Sequence, residues 1–180
     1  MDENTEQTPK TQGNVNQIPM PNSATNSLVA EADLIESEMT LRQMRLPPEA
    51  RLTRKSLLRW VALSLGLITP GESRDTILSI LDALFYHNFK GKKPTTRDIK
   101  EYIDSNWSET TEKTIRYQLG KLRETGFVVK SENTYAFIRA PDAHESDIKA
   151  GIFLALDKHY GHTKGRLLEA LTSLQSQYSI

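Results

Sequence analysis

Apolar residues recur at three- and four-residue spacing through most of the chain, which predicts helices rather than strands. From Leu28 to Arg45, the positions Leu28, Ala32, Ile35, Met39 and Arg42 share one face of a predicted helix that Ser27 caps and Pro47-Pro48 ends; its outer face is acidic. A second helix is predicted from Thr53 to about Leu67. Leu57, Leu58, Val61, Leu65 and Ile68 form its apolar face, while Arg54, Lys55 and Arg59 sit near its start, where positive charge opposes the helix dipole. After the break Thr69-Pro70-Gly71, Ser73 opens a third helix through about Asn88, with Ile77, Ile80, Leu81, Leu84 and Phe85 inward. Gly91 and Lys92-Lys93-Pro94 close it. Thr96 is the expected cap of a fourth, short helix that buries Ile99, Tyr102 and Ile103. Past the polar turn Ser105–Ser108, a fifth helix is predicted from about Thr111 to Gly126, with Ile115, Leu119 and Leu122 facing the core.

The period then changes. Phe127–Lys130, the polar turn Ser131-Glu132-Asn133 and Thr134–Arg139 read as a β-hairpin, because Tyr135 and Phe137 alternate with Thr134, Ala136 and Ile138 across the second strand. Two more helices are expected, Glu145–Lys158 and Thr163–Gln177, separated by His159-Tyr160-Gly161-His162. Met1–Asn26 has almost no large apolar residue and is expected to be a disordered polar tail, since it cannot bury enough surface to offset the entropy of ordering. The expected division is thus 1–26 tail, 27–72 N-terminal helices, 73–140 a compact domain, and 141–180 C-terminal helices. The fold class is mainly α with a small β-hairpin.

Composition removes several chemistries. The chain has no cysteine, so disulfides, thiolate zinc sites, iron–sulfur clusters and cysteine nucleophiles are excluded. The four histidines form no convincing ligand set: His159 and His162 lie near Asp157, but Gly161 stands between them and no fourth ligand is evident. No Ser-His-Asp order, phosphate-cradling glycine loop or paired-carboxylate site is present, so neither enzymatic activity, nor a cofactor, nor a metal is expected. Thr53–Leu58 with Val61–Ile68 loosely matches a twin-arginine export signal, yet it has Lys in one Arg place, lies far inside the chain and lacks a cleavage site. No apolar run approaches the roughly 18 residues that span a bilayer. A cytoplasmic protein without membrane contact is expected.

Charge is where the sequence becomes informative. The 23 basic and 23 acidic side chains cancel overall. Residues 1–46, however, hold 3 basic and 7 acidic side chains, residues 47–140 hold 16 and 11, and residues 141–180 hold 4 and 5. The middle segment carries the positive excess, which points to a polyanionic partner.

Thr111-Glu112-Lys113-Thr114-Ile115-Arg116-Tyr117-Gln118-Leu119-Gly120-Lys121-Leu122-Arg123-Glu124-Thr125-Gly126-Phe127-Val128 resembles the recognition helix and first wing strand of the winged helix-turn-helix regulators common in archaea and bacteria. The shared pattern is an aliphatic residue, Arg-Tyr, Leu-x-x-Leu, Glu-x-Gly and an apolar pair. Three helices followed by a hairpin match that order over residues 73–140. The resemblance implies a sequence-specific regulator of transcription, archaeal in type, that binds double-stranded DNA as a homodimer on a roughly palindromic site. The helix from Thr111 would enter the major groove and the hairpin would serve as wing.

The residues themselves agree with that placement. With Ile115, Leu119 and Leu122 buried, Lys113, Arg116, Tyr117, Gly120 and Lys121 fall on or beside the opposite face. Arg116 is the first choice for a base contact, since its planar fork matches guanine O6 and N7; Tyr117 suits a phosphate or a thymine methyl. Thr111 and Thr114 are candidates for phosphates at the helix start, and Lys92, Lys93, Arg97 and Lys130 are expected to border the same groove. Trp60 and Trp107 are read as packing residues. The terminal helices carry more apolar residues than a domain of this size needs, among them Ile148, Ile152, Phe153, Leu156, Leu167, Leu168, Leu171 and Leu174, which suits either packing on that domain or an intersubunit bundle. The alternative reading is a winged-helix module for protein–protein assembly in a transcription or replication complex, with a transcription-machinery protein as partner.

Overall fold

The computed structural model describes residues 31–72, 75–144 and 147–178. The polar tail 1–26, the cap Ser27, the cap Ser73 and the helix start at Glu145 lie outside the described residues. Among the described residues are two 3-10 turns, five α-helices and one antiparallel hairpin: α1 Arg54–Ser64, α2 Thr76–Phe89, α3 Thr96–Asn106, α4 Glu112–Glu124, β1 Val128–Ser131, β2 Thr134–Phe137 and α5 Ile148–Tyr178. The chain up to Glu36 is a unit separate from the rest. Its described part holds one 3-10 turn, Glu31–Leu34.

The helix expected over Leu28–Arg45 does not continue past that turn; residues 35–47 are not helical. Tertiary hydrogen bonds supply the reason. The Arg42 N–H donates to Ser64 O at 2.9 Å, the Ser64 hydroxyl donates to Arg42 O at 3.2 Å, and the Arg42 guanidinium donates to Leu63 O at 2.7 Å and Ile68 O at 2.9 Å. These tie Arg42 to the C-terminal end of α1 and to the loop that follows it, in place of hydrogen bonds within a helix of its own. Gly66, at φ +69°, makes room for the crossing: a Cβ there would come within 2.3 Å of Thr40 O.

Thr53 caps α1 as expected, its hydroxyl oxygen accepting the Ser56 N–H at 3.0 Å. The helix ends at Ser64, short of Leu67, and buries Leu58 and Ala62; Leu57 stays exposed. α2 is the centre of the core. Ile77 through Leu84 are all buried, so the one-sided apolar stripe is in fact a helix enclosed all round by α1, α3, α4 and β2. Thr95, not Thr96, caps α3: its hydroxyl oxygen accepts the Asp98 N–H while the Asp98 carboxylate accepts the Thr95 N–H at 2.7 Å, a reciprocal capping box that leaves Thr96 buried in the first turn. The inward sets Ile99, Tyr102, Ile103 and Ile115, Leu119, Leu122 are buried as predicted.

In the hairpin, Val128 faces Phe137 and Lys130 faces Tyr135 across a two-residue turn, and Val128, Tyr135 and Phe137 are buried. A further antiparallel bridge joins Thr95 to Thr134, and the Tyr135 N–H donates to Pro94 O at 2.9 Å, so the segment between α2 and α3 borders the hairpin as a third strand-like stretch.

The two expected C-terminal helices are one. α5 runs unbroken through His159–His162, so Gly161 and the histidines are helical rather than in a turn. Gly content lowers helix propensity by about 1 kcal/mol per residue without forbidding the conformation. Only the first turns of α5 are packed, through Ile148, Gly151 and Ala155; Phe153 is exposed, and every residue from Tyr160 to Tyr178 is exposed. Gly151 is required there, because a Cβ would lie 1.8 Å from Ile138 O. No helix among the described residues is long and apolar enough to cross a membrane.

Candidate nucleic-acid interface

α4 begins at a well-formed cap. The Thr111 hydroxyl oxygen accepts the Thr114 N–H at 3.2 Å, and the Thr111 and Thr114 hydroxyls share a hydrogen bond of 2.9 Å, so both are engaged at the helix start. Burial of Ile115, Leu119 and Leu122 fixes the rotation of the helix. At about 100° per residue, Lys113, Tyr117 and Gly120 then run down the middle of the outer face, with Arg116 and Arg123 on one flank and Lys121 on the other. Lys113, Arg116, Tyr117, Lys121 and Arg123 are exposed. Arg123 belongs to this surface by the same periodicity and was not among the sequence candidates.

The surface is pre-ordered in part. Arg116 is ion-paired to Glu112 one turn earlier, and the Lys121 ammonium lies 4.8 Å from the centre of the Tyr117 ring. Exposed pairs of this kind contribute about 0–1 kcal/mol, so a phosphate or a guanine edge can displace Glu112 from Arg116 at small cost. Gly120 meets no atom within 4 Å of a Cβ position, so its own fold does not demand a glycine.

The other candidates fall into two groups. Arg97 is highly exposed on α3 and paired with Glu101 at 3.0 Å; Lys130 lies 5.8 Å from the centre of the Tyr135 ring on the hairpin. Lys92 and Lys93 border a recess between the end of α2 and the hairpin, which no residue of α4 lines. The candidate cations thus come from α3, α4, the turn after α2 and the hairpin.

Two features were not legible in the sequence. Asp82 is 3% exposed inside the core, accepting hydrogen bonds from Tyr102 Oη at 3.0 Å and Trp107 Nε1 at 2.9 Å and pairing with Arg54 Nε at 3.2 Å. Lys55 lies 4.1 Å from the centre of the Trp107 ring. The cations at the start of α1 are therefore matched by partners outside the helix, which offsets their conflict with its dipole. Trp60 donates to Arg45 O at 2.7 Å and Trp107 to Asp82, so both tryptophans are held in packing roles. The second feature is the end of α2, where His87 Nε2 and Asn88 Nδ2 are buried without a hydrogen-bond partner. Burial pulls the His87 imidazole below its ordinary pKa, against the opposing charge of Asp98.

No family model, curated protein or solved structure matches the chain. A functional reading therefore rests on the site's own geometry.

Proposed function

We propose that the chain is a double-stranded-DNA-binding regulator of transcription, in which α2, α3, α4 and the hairpin form a winged helix-turn-helix. The observation that carries this reading is the outer face of α4: Lys113, Arg116, Lys121 and Arg123 stand exposed around Tyr117 and an uncrowded Gly120, on a helix whose rotation is fixed by three buried aliphatics. The strand-like stretch at Pro94–Thr95 supports the arrangement, since it ties the segment between α2 and α3 to the hairpin. In this reading α4 lies in the major groove, Arg116 reads a guanine after leaving Glu112, and Lys130 contacts the backbone from the wing. A homodimer through α5 would present two such helices to a two-fold site.

The second reading, a module for protein–protein assembly, is favoured by α5, on which Leu167, Leu168, Leu171 and Leu174 are all exposed. Titration of duplex DNA at several salt concentrations separates the two. DNA binding requires affinity that falls steeply with salt, and Arg116→Ala should lose about 1–3 kcal/mol of discrimination at one base position while retaining its non-specific affinity. Weak, salt-insensitive binding that Arg116→Ala leaves unchanged would favour the assembly module.

A further inference from the structure

Gly91, at φ +68°, turns the chain out of α2 and delivers Lys92 and Lys93 beside the hairpin. Between them and the hairpin lies a recess of about 150 Å³ lined by Asn88, Lys92, Lys93, Val129, Ala136 and Arg139. That space exceeds the ~30 Å³ share of a single water several-fold. No carboxylate lines it. Among the described residues, neither Lys92 nor Lys93 forms an ion pair, and Arg139 is steadied by donation from its Nε to Ala143 O at 3.2 Å. The backbone of the turn is occupied: Gly91 N–H donates to Asn88 O and Lys92 N–H to His87 O, each at 2.9 Å. Positive charge in the recess therefore comes from side chains. Asn88 also lines the recess.

We propose that this recess is a phosphate-binding site. The size of the recess, the two lysines that line it without ion-pair partners and the absence of a carboxylate from its lining suit an oxyanion held by charge-assisted hydrogen bonds. The group bound is a phosphate of a nucleic-acid backbone or of a free phosphate ester, one chemistry from two sources. Because no residue of α4 contributes, the site stands whether or not α4 reads DNA.

The test is a nitrogen-15 NMR titration of the full chain with inorganic phosphate, ionic strength being held constant with sodium chloride. Saturable shifts are expected at the Asn88 side-chain amide, Gly91, Lys92, Lys93 and Val129. Lys92→Gln with Lys93→Gln should weaken binding at least about tenfold, as the loss of two charge-assisted contacts demands, with an unchanged melting midpoint. Asn88→Asp should abolish it. Shifts that grow linearly, equal those from chloride or persist unaltered in the double variant would overturn the proposal, and the comparison of phosphate with chloride on the unmodified chain decides even if a variant fails to fold. A 20-base-pair duplex supplies the second arm. If the phosphate belongs to DNA, duplex displaces inorganic phosphate and the double variant loses affinity for every sequence, its salt slope falling by about two. If it belongs to a free ester, duplex leaves the recess signals unmoved. Saturation by phosphate without any duplex binding would sink the reading of α4 alone.

Discussion

At Asp82 a carboxylate sits in the middle of an apolar helix, and its cost of burial is met by donors from α1, from α3 and from the residue that caps the C-terminal end of α3. Tyr102, Trp107 and Arg54 all converge on it. Replacing it with alanine would leave the Tyr102 hydroxyl and the Trp107 indole without their acceptor, each worth about 1–3 kcal/mol when buried. Asp82→Ala is therefore expected to lower the unfolding free energy by about 2–4 kcal/mol with an unchanged denaturant slope in urea, and Asp82→Asn by less, because the amide oxygen still accepts. His87 gives a pH signature of the opposite kind. Its folded-state pKa is lowered by desolvation, so as pH falls from the ordinary histidine value near 6.5 the unfolded chain takes up a proton before the folded one does. The contribution of neutral His87 is complete above that value and is lost below it. The melting midpoint should fall between about pH 7 and 5, and His87→Phe should flatten the fall in that window. Asp98, whose pKa is lowered by hydrogen bonds from the Thr95 N–H and hydroxyl, loses its contribution only in the more acidic carboxylate range, so the two steps are separable.

Elements differ in how much freedom their glycines leave. A methyl added at Gly120 meets nothing, so Gly120→Ala is expected to raise stability by about 0.5–1 kcal/mol through helix propensity. The same change at Gly151 puts a carbon against Ile138 O and is expected to separate α5 from β2, lowering stability instead. Chemical denaturation of the two variants checks both signs. If α4 enters a groove, Gly120→Ala has a second consequence: a more stable protein that binds duplex DNA more weakly, since the methyl stands where the backbone would approach. α5 shows the limit of helix reading. Its pattern of Leu167, Leu171, Leu174 and Tyr178 satisfies helical periodicity, but an exposed helix of this kind gains little stability from its own residues.

For the molecule as a whole, the second half of α5 presents exposed leucines. Leu167, Leu168, Leu171 and Leu174 are each about half exposed or more, at 48–64%, on a helix whose first turns alone are packed. The dimer reading predicts a mass near twice the 20.4 kDa of the chain in light scattering at tens of micromolar protein. Leu167→Ser with Leu171→Ser should return it to a monomer without altering the melting of the remaining core. A monomeric unmodified chain under those conditions would remove the dimer from the proposal and leave the α4 and recess sites unaffected.

What the sequence determined by itself was local. The registers of α3, α4 and the hairpin followed from periodicity, because burying Ile99, Ile103, Ile115, Leu119, Tyr135 and Phe137 on one side leaves each element a single rotation. The basic excess of the middle segment was legible for the same reason, being a property of composition. Tertiary structure decided the rest. Arg42 reads as one more helical position until the carbonyls of Leu63 and Ile68 claim it, and a periodic pattern carries no information about partners 21 and 26 residues away. Asp82 reads as a polar interruption until Arg54, Tyr102 and Trp107 are seen around it. The recess of Asn88, Lys92, Lys93 and Arg139 brings together residues more than 45 positions apart, from the end of α2 and from the hairpin. Periodicity specifies which side of an element is buried; only long-range contacts specify which polar groups meet.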